Sequence, residues 1–239
     1  MDRAARIVSQ GRVAVLTGAG ISVDSGIPDF RSPGGLWTRF SPEEYCTIEA
    51  FRDDPVKVWE LFFELGRMLG DAKPNAGHLA LARLEQQKLV TGVVTQNIDG
   101  LHQAAGSKNV IEFHGSGARL ACMTCGRVEP SRPVSEVPRC PCGQVMKPDV
   151  VLFGEMIPPD ALRESRRLAR DAACCLVCGT SAQVYPAAAI PRDAQYGGAE
   201  IIEVNLKPTG LTGSVTTVFL EGSTTEILPE LARLALERA

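Results

Sequence analysis

The sequence predicts an α/β fold in which a parallel sheet, covered by helices on both faces, carries a smaller lobe. Three observations point there. Short apolar runs rich in Val and Ile recur between helical patterns, two long segments interrupt that alternation, and one of those segments holds four cysteines in two close pairs. Alternating strands and helices favour a parallel sheet because each crossover helix lies back on a sheet face and covers it.

In order, the runs are Val13 to Thr17, Leu89 to Thr95, Val110 to His114, Cys174 to Gly179, Glu200 to Asn205 and Val215 to Leu220. Pro74 and Asn75 are start signals for a helix over residues 75 to 87, with Leu79, Ala80, Ala82 and Leu84 expected on its inner side. A last helix is expected from about Pro229 to Arg238. The first interruption opens with the flexible Ser32-Pro33-Gly34-Gly35 and continues through helical patterns such as that of residues 55 to 69. The second is poor in apolar runs and carries the paired cysteines and several prolines. We therefore divide the chain into a sheet domain (1–32, 74–119 and 152–239), a helical insertion (33–73) and a cysteine-bearing module (120–151). The ligand cleft is expected between the lobes, beside the carboxyl ends of the strands.

The chain has 239 residues, 44% apolar and 22% charged, enough to bury one large core and a smaller one. A formal charge of -3 without a run of Lys or Arg argues against a nucleic-acid surface and leaves a basic protein partner open. The N-terminus lacks the apolar stretch of a secretory signal, and no segment approaches the roughly 18 apolar residues of a membrane span. A cytoplasmic protein is expected, with no membrane partner. Eight cysteines in a reducing compartment read as metal ligands, core residues or reactive thiols rather than disulfides.

The first run ends in Gly18-Ala19-Gly20-Ile21-Ser22, an arrangement in which glycines let the backbone approach a pyrophosphate. The dinucleotide fingerprint has a third glycine where Val23 stands, and no acidic residue ends a second strand about 20 positions on, so a plain strand-to-helix turn is the alternative. The continuation Ser25-Gly26-Ile27-Pro28-Asp29-Phe30-Arg31 strengthens the ligand reading. It sets a carboxylate, a ring and a guanidinium in a loop anchored by Gly and Pro.

Thr95-Gln96-Asn97-Ile98-Asp99 follows the second run. Asn97 and Asp99 together suit a carboxamide, accepting from its nitrogen and donating to its oxygen; a helix cap by Asp99 is the alternative. His114 ends the third run and suits a general base, because imidazole titrates near neutral pH. His78 and His102 sit in helical patterns and read as structural. Gly179-Thr180-Ser181 and Asn205-Leu206-Lys207 end two more runs at the same edge, where they suit ribose or adenine, or form ordinary turns.

Cys122-x2-Cys125, followed after fourteen residues by Cys140-x-Cys142, reads as a four-thiolate zinc site, with free thiols as the alternative. Four thiolates leave no ligand position for water, so the metal is expected to be structural. The second pair is one residue tighter than the usual C-x-x-C spacing. Cys175 and Cys178 are oddly spaced within a strand, which sends them to opposite faces, so core packing is expected of both and of Cys174.

The segments GAGISVDSGIPDFR, TQNIDGLH, FHG, the cysteine pairs, VVLFGE and GTSAQVYPAA stand in an order that resembles the sirtuins, NAD-dependent protein lysine deacylases. The similarity covers nearly the whole chain. It implies a Rossmann-type parallel sheet domain, a smaller lobe made of a helical insertion and a zinc-binding module, and an acyl-lysine tunnel between them. By position, Gly18, Ala19, Gly20, Ile21, Asp29, Phe30, Arg31 and Trp37 would form the cofactor loop, and Gln96, Asn97, Ile98 and Asp99 the nicotinamide and ribose pocket. Gly179, Thr180, Ser181, Asn205, Leu206, Lys207 and Ser223 would bind the adenosine half. His114 would be the catalytic base, acting with Asn97 and Asp99. Val151, Phe153 and Gly154 would pair with the substrate backbone as an added strand. NAD would be a co-substrate, one zinc per chain structural, and acyl-lysine proteins or peptides the partners. A single chain would suffice for the site, and the oligomeric state is left open.

Some sirtuins that prefer succinyl or malonyl groups have Tyr and Arg three residues apart in the helix before the Pro-Asn motif, where Phe63 and Gly66 stand here. An acidic acyl group would enter unpaired, so acetyl or another neutral group is expected; Arg67, one position away, would reverse this if the register slipped by one. Two rival functions use the same scaffold: ADP-ribosyl transfer to a protein, and a non-catalytic NAD-sensing module.

Overall fold

The computed structural model describes residues 1–132 and 135–239, so residues 133 and 134 of the cysteine-bearing module lie outside the described residues. In chain order the strands are β1 (Val13–Thr17), β2 (Val90–Thr95), β3 (Val110–Glu112), β4 (Gly115–Ala121), β5 (Val128–Pro130), β6 (Lys147–Val150), β7 (Cys174–Cys178), β8 (Glu200–Asn205) and β9 (Val218–Glu221). The helices are α1 (Asp2–Ser9), α2 (Pro42–Tyr45), α3 (Ile48–Asp53), α4 (Pro55–Asp71), α5 (Ala76–Gln86), α6 (Leu101–Ala104), α7 (Pro159–Arg170), α8 (Ile190–Tyr196) and α9 (Thr224–Leu236).

The large sheet has the order β3-β2-β1-β7-β8-β9 and is parallel throughout. Its central strands β1, β7 and β8 are buried on both faces, and their side chains divide between two cores with the period of two that a pleated strand imposes. On one face Val13, Val15, Cys174, Leu176, Cys178, Ile202 and Val204 pack with residues of α1, α5 and α9. On the other, Ala14, Leu16, Cys175, Val177 and Ile201 pack with residues of α7 and α8. The three cysteines of β7 are thus core residues, with Cys175 and Cys178 on opposite faces.

From β1 the chain runs outward through β2 and β3, then returns to place β7 on the other side of β1. The order reverses between β1 and β7, and the crevice at that switch point is where an open α/β sheet takes its ligand. Both strands end there in glycine: Gly18 after β1 and Gly179 after β7.

Three expectations are corrected. Leu79 is 53% exposed, because it lies about 200° around the helix from the fully buried Leu81; Ala80, Ala82 and Leu84 are buried as expected, and His78 and Leu81 join them in place of Leu79. The last helix begins at Thr224, capped by Ser223, and carries Pro229 inside it, since burial of Leu228, Leu231 and Ala232 favours the longer helix. The final strand starts at Val218 rather than Val215; the Thr216 hydroxyl is held by the buried Glu203 carboxylate, which keeps that stretch in the preceding loop.

The two interruptions share a third core. Leu36, Ile48, Phe51, Val58, Trp59, Leu61, Phe62 and Leu65 pack against Leu120, Met146, Val150 and Leu152, and the Trp59 indole donates to the Met146 carbonyl (2.9 Å). A small antiparallel sheet, β5-β4-β6, supports this lobe. Its strand β4 starts one residue after His114, where Gly115 takes φ +79° and turns the chain out of the large sheet. The third run therefore ends as a strand at Glu112, and Phe113 and His114 form the turn. Among the described residues no helix is long and apolar enough to cross a membrane.

Candidate active site

The glycine loop closes directly on β7. The Gly20 N–H donates to the Gly179 carbonyl (2.8 Å), and a Cβ on Gly20 would stand 2.8 Å from the Gly179 Cα. A side chain there would force the two strand ends apart, so the backbone cradle exists only with glycine. Ala19 and Ile21 form a single 3-10 turn, with Ile21 buried in the core below. Beyond it, the Asp29 carboxylate accepts from the backbone N–H of Arg31 (3.1 Å) and Ser32 (2.8 Å) and from the Ser32 hydroxyl. Asp29 thus shapes its own loop. The Trp37 N–H donates to the Phe30 carbonyl, their rings stand 4.9 Å apart, and the Arg31 guanidinium reaches the Ser181 hydroxyl (3.5 Å) across the crevice.

At the end of β2, Gln96 Nε2 donates to the Thr17 carbonyl (3.2 Å) and to Thr180 Oγ1 (2.9 Å), tying β2, β1 and β7 together. Asn97 Nδ2 donates to the Gly18 carbonyl and to Ser22 Oγ, each at 3.1 Å. Ser22 Oγ in turn donates to Asp99 Oδ2 (2.7 Å), while Asp99 Oδ1 accepts from the Leu101 N–H (2.9 Å). Asp99 therefore acts in the turn that starts the helix, as the alternative reading expected, and is joined to Asn97 through Ser22. With the Asn97 donors engaged, Asn97 and Asp99 offer acceptors to the crevice. They suit the nitrogen of a carboxamide, and its oxygen would fall to a backbone N–H such as that of Ile98.

Ser22 is the residue that sequence reasoning missed. It is 1% exposed and joins Asn97, Asp99 and, at 3.5 Å, His78 Nε2. Its signal was present, as the first hydroxyl after the glycine loop. His78 and His102 are buried with ring centroids 4.9 Å apart. His78 forms a capping box with Asn75, and His102 Nε2 bonds Thr17 Oγ1 (2.9 Å). Burial pushes His78 down to about 4 and His102 down to about 3, so both rings are neutral at pH 7. They brace the floor of the pocket.

His114 stands beside Gln96. Its Nδ1 lies 3.0 Å from the Gln96 carbonyl, a contact only a protonated Nδ1 can make, so Nε2 carries the free lone pair. Burial lowers its pKa, opposed by that bond, and the ring is ready to accept a proton at neutral pH. The His114 carbonyl accepts from the Val151 N–H (2.9 Å), which joins the histidine to the segment after β6. In that segment the Phe153 N–H donates to the Cys46 carbonyl and the Phe153 carbonyl accepts from the Ile48 N–H, both at 2.9 Å. The backbone of Phe153 is therefore already paired, which corrects its expected role in strand addition; its ring, 43% exposed, is what it presents.

At the ends of β7 and β8, the Thr180 hydroxyl is held by Gln96, and Asn205 Nδ2 donates to the Thr180 carbonyl (3.1 Å) and to Glu203 Oε1 (3.0 Å). Leu206 (68% exposed) and Lys207 stand in solvent at the rim. Ser223 caps α9, its hydroxyl accepting from the Glu226 N–H.

The sulfurs of Cys122, Cys125, Cys140 and Cys142 lie within 4.8 Å of one another, with Cys122 to Cys142 at 3.6 Å and Cys125 to Cys140 at 3.5 Å. A tetrahedron of thiolates about 2.3 Å from zinc has sulfurs roughly 3.8 Å apart, so the donor set fits one zinc ion despite the tight second pair. The cluster lies in the small lobe, with Cys122 and Cys140 in its core.

Comparison with known proteins agrees with this geometry. The model of the Sir2 family matches residues 18–186. The chain is 47% identical over 234 residues to the NAD-dependent protein deacylase 2 of Pyrobaculum aerophilum, covering 97% of this chain and 94% of that one. It is 47% identical to the NAD-dependent protein deacylase of Thermus thermophilus, covering 87% and 84%. Among solved structures, a Sir2 homolog–NAD complex superposes with a TM-score of 0.93 at 38% identity, covering 100% of this chain and 94% of that one. Sir2Af2 bound to a myristoylated histone peptide gives 0.83 at 35%, covering 99% and 96%. With the family model spanning well over half of the chain, and the glycine cradle, the Asn97–Ser22–Asp99 group and His114 gathered at one switch point, this chain belongs to the Sir2 family.

Proposed function

We infer that this chain is an NAD-dependent protein lysine deacylase. The observation that carries the reading is the double engagement of His114, whose ring is oriented by Gln96 and whose carbonyl holds the Val151 N–H. One residue thereby places a proton acceptor beside the cofactor crevice and anchors the segment that would receive the substrate.

NAD, when bound, supplies an electrophilic ribose carbon with nicotinamide as its leaving group. Gly18, Ala19 and Gly20 would seat its phosphates where a side chain would not fit, while Asn97, Ile98 and Asp99 would hold the carboxamide. Thr180, Ser181, Asn205, Leu206, Lys207 and Ser223 would hold the adenosine, with Arg31, Phe30 and Trp37 closing over the crevice. His114 Nε2 would take a proton from a ribose hydroxyl, and burial, which lowers the ring's pKa, favours the unprotonated nitrogen this role needs. The peptide pairs through the Val151 carbonyl and the backbone of Gly154. Little of this demands a strong nucleophile, since rate comes mainly from positioning.

A neutral acyl group is the substrate this pocket favours. Phe63 packs in the small-lobe core, Gly66 has no side chain, and Arg67 points to solvent at 76% exposure, paired with Glu64 (2.7 Å). A net charge of -3 with no basic run suits acyl-lysine peptides rather than nucleic acid as partners, eight cysteines without a disulfide suit the cytoplasm, and one chain forms the site.

Mass spectrometry of an acetyl-lysine peptide incubated with and without NAD tests the reading. The acetyl group should be lost only with NAD and pass to ADP-ribose, and His114→Ala should abolish the loss. NAD-dependent labelling of protein without deacylation would overturn it, and a higher kcat/KM for succinyl-lysine would overturn the acyl preference.

A further inference from the structure

Next to the segment assigned to the substrate, a cavity of about 370 Å³ is walled by Glu112, Arg119, Lys147, Asp149, Glu155 and Met156. One charge pair in its wall has no part in the chemistry above. Lys147 is buried, its side chain only 6% exposed, and Nζ lies 2.9 Å from Glu155 Oε2. A buried cation is retained only where its hydrogen bonds are satisfied. Here Nζ also donates to the Val150 carbonyl, and the same Glu155 oxygen accepts from the Leu152 N–H (2.8 Å).

These contacts bracket one residue. The peptide unit before Val151 is held at both ends, its carbonyl by Lys147 and its N–H by the His114 carbonyl. The unit after Val151 is held at its N–H by Glu155. In a planar trans peptide the carbonyl points opposite to the N–H. Gripping the Leu152 N–H therefore aims the Val151 carbonyl away from Glu155. That carbonyl is open to an incoming chain, together with the backbone of Gly154, whereas the backbone of Phe153 is paired with Cys46 and Ile48.

We propose that Lys147 and Glu155 are positioning residues for the acyl-peptide: their ion pair sets the direction of the Val151 carbonyl and with it the affinity for substrate. The proposal rests on the deacylase reading. It requires the pair to act as a unit, so removing either member loosens the same carbonyl. It also predicts a division between substrates, because neither residue touches the glycine loop or the Asn97–Ser22–Asp99 group.

The test is steady-state kinetics of the full-length, zinc-loaded protein with Lys147→Met, Glu155→Leu, which removes the acceptor of the Leu152 N–H, the double variant and Lys147→Arg. The double variant leaves no buried charge unpaired and guards against misfolding of the singles. The KM for an acetyl-lysine peptide should rise about tenfold or more in both singles and no further in the double, with kcat and the KM for NAD within about twofold. Lys147→Arg, which keeps the cation, should restore most of the loss. Hydrogen exchange gives a readout independent of turnover: the Leu152 amide should exchange at least about tenfold faster in the double variant while β1 amides keep their protection. No turnover by the wild-type chain overturns the deacylase reading and the substrate role together. Wild-type turnover with an unchanged peptide KM in the variants, or unchanged Leu152 exchange, overturns the clamp alone, and parallel losses in kcat and both KM values reduce the pair to a structural role.

Discussion

Gly115→Ala tests how the histidine and the substrate segment are coupled. Gly115 has φ +79°, and a Cβ there would stand 2.1 Å from the Asp149 carbonyl oxygen and 3.0 Å from the Val150 Cα. The left-handed backbone costs a non-glycine residue about 1–2 kcal/mol. Relieving the overlap requires β4 and β6 to part by about 1 Å, which carries the 2.9 Å bond from the Val151 N–H to the His114 carbonyl beyond hydrogen-bonding range. One or two ladder bonds at about 1 kcal/mol each bring the total to about 3 kcal/mol. In a chain of this size that lowers Tm by about 6–12 °C. Because His114 and Val151 separate, a displacement of that order should also reduce kcat/KM about a hundredfold. Gly198→Ala is the control, with φ +91° and nothing within 4 Å of its Cβ. It should cost about 1 kcal/mol and leave kcat/KM unchanged. Thermal melts and initial rates of both variants decide the matter, and equal kcat/KM values would refute the coupling.

Three further outcomes follow from buried polar groups and the metal site. Glu203 is fully buried and accepts from Asn205, Thr209, Thr212 and Thr216; Glu203→Leu orphans these donors and should cost about 3 kcal/mol while raising the KM for NAD through Asn205, so a variant with normal stability and NAD affinity would contradict this role. All three histidines are held below their usual pKa by burial, so the unfolded chain binds protons that the folded chain refuses. The contributions of His78 and His102 to stability are complete above pH 6.5 and are lost as pH falls toward about 4 and about 3 respectively, at about 1.4 kcal/mol per pH unit for each titrating ring, with His114 acting in the same direction; urea titrations giving a flat stability between pH 7 and 5 would exclude this. Metal analysis should find one zinc per chain, and chelation should melt the β5-β4-β6 sheet and abolish activity by releasing Val151 from His114, whereas an apoprotein with unchanged Tm would remove zinc from the account.

What the sequence by itself determined is what local chemistry encodes. The Val- and Ile-rich runs located the six strands of the large sheet because strands covered by helices must be largely apolar, most fully at the central β1, β7 and β8. The paired cysteines located the metal site because thiolate spacing is a local constraint, and the glycine loop stood out because close backbone approach admits only glycine. Tertiary structure decided how these pieces meet. Ser22 became the centre of the pocket only when β2 brought Asn97 and Asp99 beside it, 75 and 77 residues along the chain. Leu79 faced solvent because docking of α5, rather than its composition, chose which side is buried. The backbone of Phe153 was spent on Cys46 and Ile48, a pairing between the two interruptions that no periodicity within either one reveals. Side-chain type is written residue by residue, but hydrogen-bond partners more than a hundred positions apart are fixed only when the sheet order and the lobe contacts close.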